Sequence, residues 1–155
     1  MSAHASQARM QNPALVVPGA MEALMALGRA ERATGISETV LQLAHLRASQ
    51  INGCGVCLHM HARDLRKSGT SEEKIDTVAG WRDAPFFDDE ERAALALTEC
   101  VTRLADRGDA VPDEVFDDAA AHFDERQLGA LILSIAQVNL WNRLNASTHQ
   151  VAGAW

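Results

Sequence analysis

The chain is predicted to be all-α, one domain of about six or seven helices spanning residues 1–155. Composition is the first ground. Hydrophobic residues make up 47% of the chain, aromatics only 5%, and tyrosine is absent. Alanine and leucine are strong helix formers, whereas the strand-favouring aromatics are scarce here. The second ground is patterning: apolar residues recur at helical spacing between short turn signals. A chain of 155 residues can bury a sizeable single core. It shows no internal repeat, low-complexity tract or linker.

Taken in order, a first helix is expected over about Pro18–Arg32, with Met21, Leu24, Met25 and Gly28 on one face and Gly35 as its stop. Ser37 is placed to cap a second helix running to about Gln50. Asn52-Gly53 is a turn signal, so a third helix should start near Cys54 and stop at Gly69. The run from Thr70 to Glu73 has the form of a capping box for a short fourth helix reaching about Trp81. Pro85 makes the following segment a loop. Four acidic residues, Asp88 to Glu91, suit the start of a fifth helix ending near Arg107 and Gly108. Pro112 opens a sixth to about Phe123, and Asp124 with Gln127 starts a long last helix. That helix is apolar nearly all round, which places it at the centre of the core or in a subunit interface.

The net charge of −7 and the lack of a Lys/Arg cluster argue against nucleic acid and against anionic membrane surfaces. The most apolar stretch, Leu128 to Trp141, is interrupted by polar residues and too short for a bilayer. The polar N-terminus shows no apolar signal segment, so a soluble cytoplasmic protein is expected. In a reducing compartment a close cysteine pair is redox-active or metal-binding more often than a structural disulfide.

Such a pair is present. At about 100° per residue, Cys54 and Cys57 lie about 60° apart on a helix, and His61 falls between them one turn on. A thiolate is favoured at a helix N-terminus, and an adjacent imidazole can take and return its proton. Two thiols at this spacing can also close a reversible disulfide. Zinc is the competing reading, since Cys54, Cys57, His59 and His61 are four candidate ligands. His59, however, points away from the other three, and a structural site usually needs a second ligand pair that this chain lacks. Cys100 reads as a buried apolar residue. On the preceding helix Glu38, Gln42, His45 and Ser49 form a stripe about 60° wide. It is either a solvated face or a set of proton carriers facing the cysteines, with His45 titrating near neutral pH.

The stretch from Leu46 to His61, Leu-Arg-Ala-Ser-Gln-Ile-Asn-Gly-Cys-Gly-Val-Cys-Leu-His-Met-His, resembles the signature of the alkylhydroperoxidase D-like proteins of the carboxymuconolactone decarboxylase superfamily. Close likeness runs from about Leu43 to Gly69, with weaker likeness at Glu91–Glu99 and Asn139–Leu144. The resemblance implies an all-helical fold assembling into trimers or hexamers, and thiol peroxidase or disulfide reductase activity towards organic hydroperoxides. It implies Cys57 as the attacking thiol, Cys54 as the resolving thiol and His61 in a proton relay. It allows a dithiol reductant such as a lipoyl-bearing protein, and no metal or other cofactor is expected. One position departs. The family's relay glutamate, twelve residues before the first cysteine, is Gln42 here, and Glu38 or His45 is the candidate substitute. The decarboxylase branch generally lacks the cysteine pair, so lactone chemistry is a poor second. A metal-stabilised oligomer or a non-catalytic redox sensor is the alternative from another class.

Overall fold

Eight α-helices and one 3-10 turn make up the regular structure of residues 7–154, the residues described by the computed structural model; no strand occurs among them. The first residues of the polar N-terminal stretch, 1–6, lie outside this description. The helices are α1 (Pro13–Val16), α2 (Ala20–Arg32), α3 (Glu38–Asn52), α4 (Gly55–Lys67), α5 (Glu72–Asp76), α6 (Asp89–Thr102), α7 (Asp113–His122) and α8 (Glu125–Thr148). No helix of the described residues is long and apolar enough to cross a membrane.

α3 is the organising element. It packs on α4, α6 and α8, and it separates two apolar clusters. Val40, Leu41 and Ala44 face Leu97 of α6 and Leu131 and Ile135 of α8. Leu43 and Leu46 face Leu65 of α4, Leu95 of α6 and the side chains of Trp81 and Phe87. Leu41, Leu65, Leu95, Leu131 and Ile135 are fully buried, each worth about 1.5–3 kcal/mol of removed apolar surface. The remaining face of α3 is the polar stripe, which runs from an exposed Glu38 to a buried His45 and Ser49.

The predicted elements are all present, with shifts at their ends. α2 starts two residues after Pro18, behind a left-handed Gly19. α1 was not expected; Asn12 caps this single turn by accepting the Ala14 N–H. Ser71, one residue later than the predicted Thr70, caps α5. That helix stops at Asp76 rather than near Trp81, because the Thr77 hydroxyl donates to the Glu73 carbonyl and the chain tightens into a 3-10 turn over Val78–Gly80. α6 has the capping box of Asp88 and Glu91, but it ends at Thr102, well short of Arg107. Leu104 beyond it is 57% exposed, so continuing the helix would bury nothing, and propensity alone does not sustain a turn. α8 carries the capping box of Asp124 and Gln127 and runs through the middle of the bundle. It is not apolar all round: Ser134, Asn142, Asn145 and Thr148 are buried along one side of it.

Candidate active site

Gly53 adopts a left-handed conformation (φ 67°) that ends α3 and turns the chain straight into α4. Cys54 is the N-cap of α4, and its Sγ accepts the Cys57 N–H at 3.4 Å, where a serine oxygen would ordinarily sit. Both thiols are free and buried, and they hydrogen-bond to each other. The Asn145 amide of α8 donates to Cys57 Sγ at 3.3 Å and to Cys54 Sγ at 3.7 Å. Its orientation is fixed by Asn12, whose amide donates to Asn145 Oδ1 at 2.9 Å. The one-turn helix α1 therefore serves the site, because the same Asn12 caps it. Asn142 donates to Ser49 and accepts from Asn52 beside the pair, and its amide favours the ionised form of both thiols.

The pair shares one proton. The Cys57 thiol donates to Cys54, and this bond, helped by the Cys57 N–H and the two asparagines against the opposing effect of burial, lowers the Cys54 pKa to about 6. The same donation, together with burial, pushes the Cys57 thiol far up. Of the two thiols, Cys54 is the one whose ionised form its surroundings favour.

Above the sulfurs, His61 Nδ1 meets Gln42 Oε1 at 2.8 Å. The Gln42 amide nitrogen donates to Glu38, and Arg32 grips both Glu38 oxygens at 2.8 and 3.0 Å. With its nitrogen committed to a carboxylate, Gln42 can only accept from His61. Nδ1 therefore carries the imidazole proton, and Nε2 is left as a lone-pair base. Burial lowers the His61 pKa to about 4, so the ring is neutral. His45 lies against it, ring centres 4.8 Å apart, with Nε2 at 2.6 Å from Ser134 Oγ. Contrary to the sequence expectation, His45 does not titrate near neutrality: burial, then His61 and Arg32, hold its pKa well below the usual value. Glu38 is half-exposed and ionised. Its modest burial is outweighed by Arg32 and Gln42, and its pKa is lowered.

Comparison with known proteins gives the same frame. The family model of carboxymuconolactone decarboxylase matches residues 18–99. An uncharacterized protein of Bacillus subtilis, YdfG, is 36% identical over 84% of this chain and 87% of its own. The chain belongs to the carboxymuconolactone decarboxylase family. Its fold is that of a protein of unknown function from Agrobacterium tumefaciens that has been linked to the antioxidant defence protein AhpD. The two share 33% identity at a TM-score of 0.86, over 96% of this chain and all of the other. An alkyl hydroperoxide reductase AhpD of Bradyrhizobium diazoefficiens is 42% identical over 44 residues, 28% of this chain and 24% of that one.

In this carboxymuconolactone decarboxylase family member, Glu38, Gln42, His61 and His45 form one linked set, and Cys54 and Cys57 lie one to two turns before His61 on the same stretch of chain at the start of α4. His59 is exposed and outside that set, and no group of three or more His, Cys, Asp or Glu among the described residues is placed to hold a metal ion. Cys100 is half-buried on α6 rather than fully buried, and it hydrogen-bonds neither thiol. The residues that sequence reasoning missed are Asn12, Ser134, Asn142 and Asn145. The spacing of Ser134, Asn142 and Asn145, at eight and three residues, was the available signal, since it sets them on one side of α8.

The ionised form favoured at Cys54 is measurable. Titration of the reduced protein, followed by ultraviolet thiolate absorbance, is expected to show one buried thiolate appearing with a midpoint near pH 6, and Asn145→Ala is expected to raise that midpoint. By linkage, a thiol depressed from 9.0 to about 6 contributes stability that is present above pH 9 and is lost as pH falls through 6. A midpoint that stays near 9 would contradict the shared proton.

Proposed function

We propose that the chain is a thiol-dependent peroxidase that reduces organic hydroperoxides through Cys54 and Cys57 and is reset by an external dithiol. The observation that supports this most is a buried dithiol holding one proton beside a neutral imidazole fixed in the Nδ1–H tautomer. Cys57 gives its proton to His61 Nε2 as its sulfur attacks the outer peroxide oxygen. The O–O bond breaks, Cys57 becomes a sulfenic acid, and His61 returns the proton to the alkoxide, releasing an alcohol. The Cys54 thiolate then attacks the Cys57 sulfur and expels hydroxide, which takes up one further proton to leave as water. The product is a Cys54–Cys57 disulfide, and both electrons are recovered from the dithiol.

Gln42 fits this scheme without acting as a base. It selects the His61 tautomer, and Glu38 with Arg32 keeps the amide from flipping. Neither Glu38 nor His45 needs to replace the glutamate directly. A carboxylate at position 42 would favour the imidazolium, so Gln42→Glu is expected to raise the His61 pKa from about 4 and to move the acid limb of kcat/KM to higher pH. An unchanged profile would show that residue 42 does not govern His61.

The dithiol is proposed to be a lipoyl group carried on a protein, and the protein is proposed to assemble as a homo-oligomer. Leu104, Leu133 and Leu140 are the exposed apolar side chains that assembly would bury near α8. The direct test is multiple-turnover reduction of cumene hydroperoxide with dihydrolipoamide as donor. Multiple turnovers support the enzyme. A single oxidation per subunit that dihydrolipoamide cannot reverse would favour a redox sensor instead.

A further inference from the structure

We propose that Glu31, Ser134 and His45 form a proton path that enters the subunit between α2 and α8 and ends at His61. This inference rests on the peroxidase reading, whose chemistry consumes one proton more than the dithiol holds. The path is assembled from four helices. Glu31 on α2 is 2% exposed, and its carboxyl group lies by the Ser134 hydroxyl of α8, which favours its ionised form. Ser134 Oγ in turn meets His45 Nε2 of α3 at 2.6 Å, and the His45 ring lies against His61 of α4. At the outer end, Glu31 is among the residues that line a cavity of about 270 Å³ between α2 and α8, with Thr34, Glu125 and Arg126.

Two features separate this chain from a structural hydrogen-bond network. Glu31 Oε1 and His45 Nδ1 are both buried without a hydrogen-bond partner among the described residues. An unpartnered buried polar atom costs about 1–3 kcal/mol, a cost that a purely structural position has no reason to keep. The unpartnered atoms are also the two ends of the chain, where a proton would enter and leave.

The single hydroxyl proton of Ser134 gives the path two states. With Glu31 ionised, Ser134 donates to the carboxylate and accepts from His45 Nε2–H, so Nδ1 is bare. With Glu31 protonated, the carboxylic acid donates to Ser134, Ser134 donates to Nε2, and His45 carries its proton on Nδ1. Passing from the second state to the first hands the Nδ1 proton towards His61 and leaves a carboxylate, which the cavity re-protonates. Burial pushes the Glu31 carboxyl above its ordinary value, against the pull of Ser134 and Arg32, so the protonated state is within reach. The charges that face the path are Arg32 on α2, Glu38 on α3 and Asp64 on α4.

The test is the rate at which the reduced pair is oxidised in Glu31→Gln and in Ser134→Ala, followed by loss of thiolate absorbance. Two oxidants are used: cumene hydroperoxide, and diamide, which takes both electrons and needs the same extra proton. Each variant is expected to be slowed by about a hundredfold, the low end of what proton transfer contributes. The double variant should be no slower than either single one, and small weak acids such as imidazolium buffer should restore part of the rate. Thermal stability, measured alongside, should not fall in Glu31→Gln. Wild-type rates in both variants with both oxidants would overturn the path while leaving the peroxidase reading intact. Slowing without buffer rescue would also overturn it, by assigning the residues a structural role. Wild-type protein inert to hydroperoxide, but with diamide oxidation slowed in the variants, would remove the peroxidase reading and keep the path.

Discussion

Cys57→Ser is expected to abolish hydroperoxide turnover, a loss of more than about 10³-fold, which is typical of removing a nucleophile. A serine hydroxyl ionises far too weakly to attack the peroxide, and the sulfenic acid cannot form. The substitution is nonetheless mild for the fold, because position 57 is buried against Asn145 and the Cys54 sulfur, and a hydroxyl can donate to that sulfur as the thiol does. The Cys54 thiolate should therefore persist in this variant. Cys54→Ser has a different signature: the α4 N-cap is kept by the serine oxygen, Cys57 can still be oxidised once, and its sulfenic acid accumulates and can be trapped by a dimedone-type reagent.

The pair of variants also decides which sulfur attacks. The family resemblance gives attack to Cys57, while the surroundings favour the ionised form of Cys54. The two are compatible if the proton on Cys57 leaves to His61 during attack. Stoichiometric, wild-type-rate oxidation in Cys57→Ser, with Cys54→Ser inert, would exchange the two roles. Turnover in both would end the thiol mechanism.

What was legible in the sequence follows from what a helix makes periodic. Cys54, Cys57 and His61 belong to one helix, and Glu38, Gln42, His45 and Ser49 to another, so fixed angles relate them before any tertiary contact is known. The direction of the α3 stripe is not legible there, because a polar face looks the same whether it meets water or a neighbouring helix. Asn145 and Glu31 could not be reached that way. Asn145 lies 88 residues from Cys57 in the chain, and asparagines in an apolar helix read as interruptions until the facing sulfurs are known. Glu31 sits among Ala30, Arg32 and other exposed-looking residues of α2, and only packing shows it to be buried. The shortened α6 is a miss of another kind. Its residues favour a helix to the end, but no surface awaits them.

The two weaker stretches of likeness divide between chemistry and architecture. Asn139 and Asn142 of α8 hold the α3–α4 turn through Asn52. Glu99 of α6, by contrast, is a structural centre remote in role from the thiols. Its Oε1 accepts from Arg47 Nε at 2.8 Å and from Trp81 Nε1 at 3.0 Å, and its Oε2 accepts from Arg82 at 2.8 Å. Arg82 also stacks over the Trp81 ring at 4.2 Å. One carboxylate thus ties α3, α6 and the loop after the 3-10 turn together.

Glu99→Leu is expected to cost about 3–5 kcal/mol, because it leaves the Arg47 guanidinium and the Trp81 N–H buried without their partner. The Arg82 and Arg103 contacts add little to this, being solvent-screened at 60% and 41% side-chain exposure. For a domain of this size each kcal/mol moves the unfolding midpoint by about 2–4 °C, so a drop of roughly 10 °C is expected in calorimetry. Glu99→Gln keeps one acceptor and should fall between the two. Burial opposes ionisation of Glu99, but Arg82, Trp81 and Arg47 outweigh it and lower its pKa below 4.5. The stability it provides is therefore complete above pH 4.5 and is lost as pH falls through the lowered value, so the difference between wild type and Glu99→Leu should shrink in acid. A midpoint within about 2 °C of wild type at pH 7 would mean that water or a rearranged arginine replaces the carboxylate. In that case the link between α6 and the site-bearing α3 would rest on apolar packing alone.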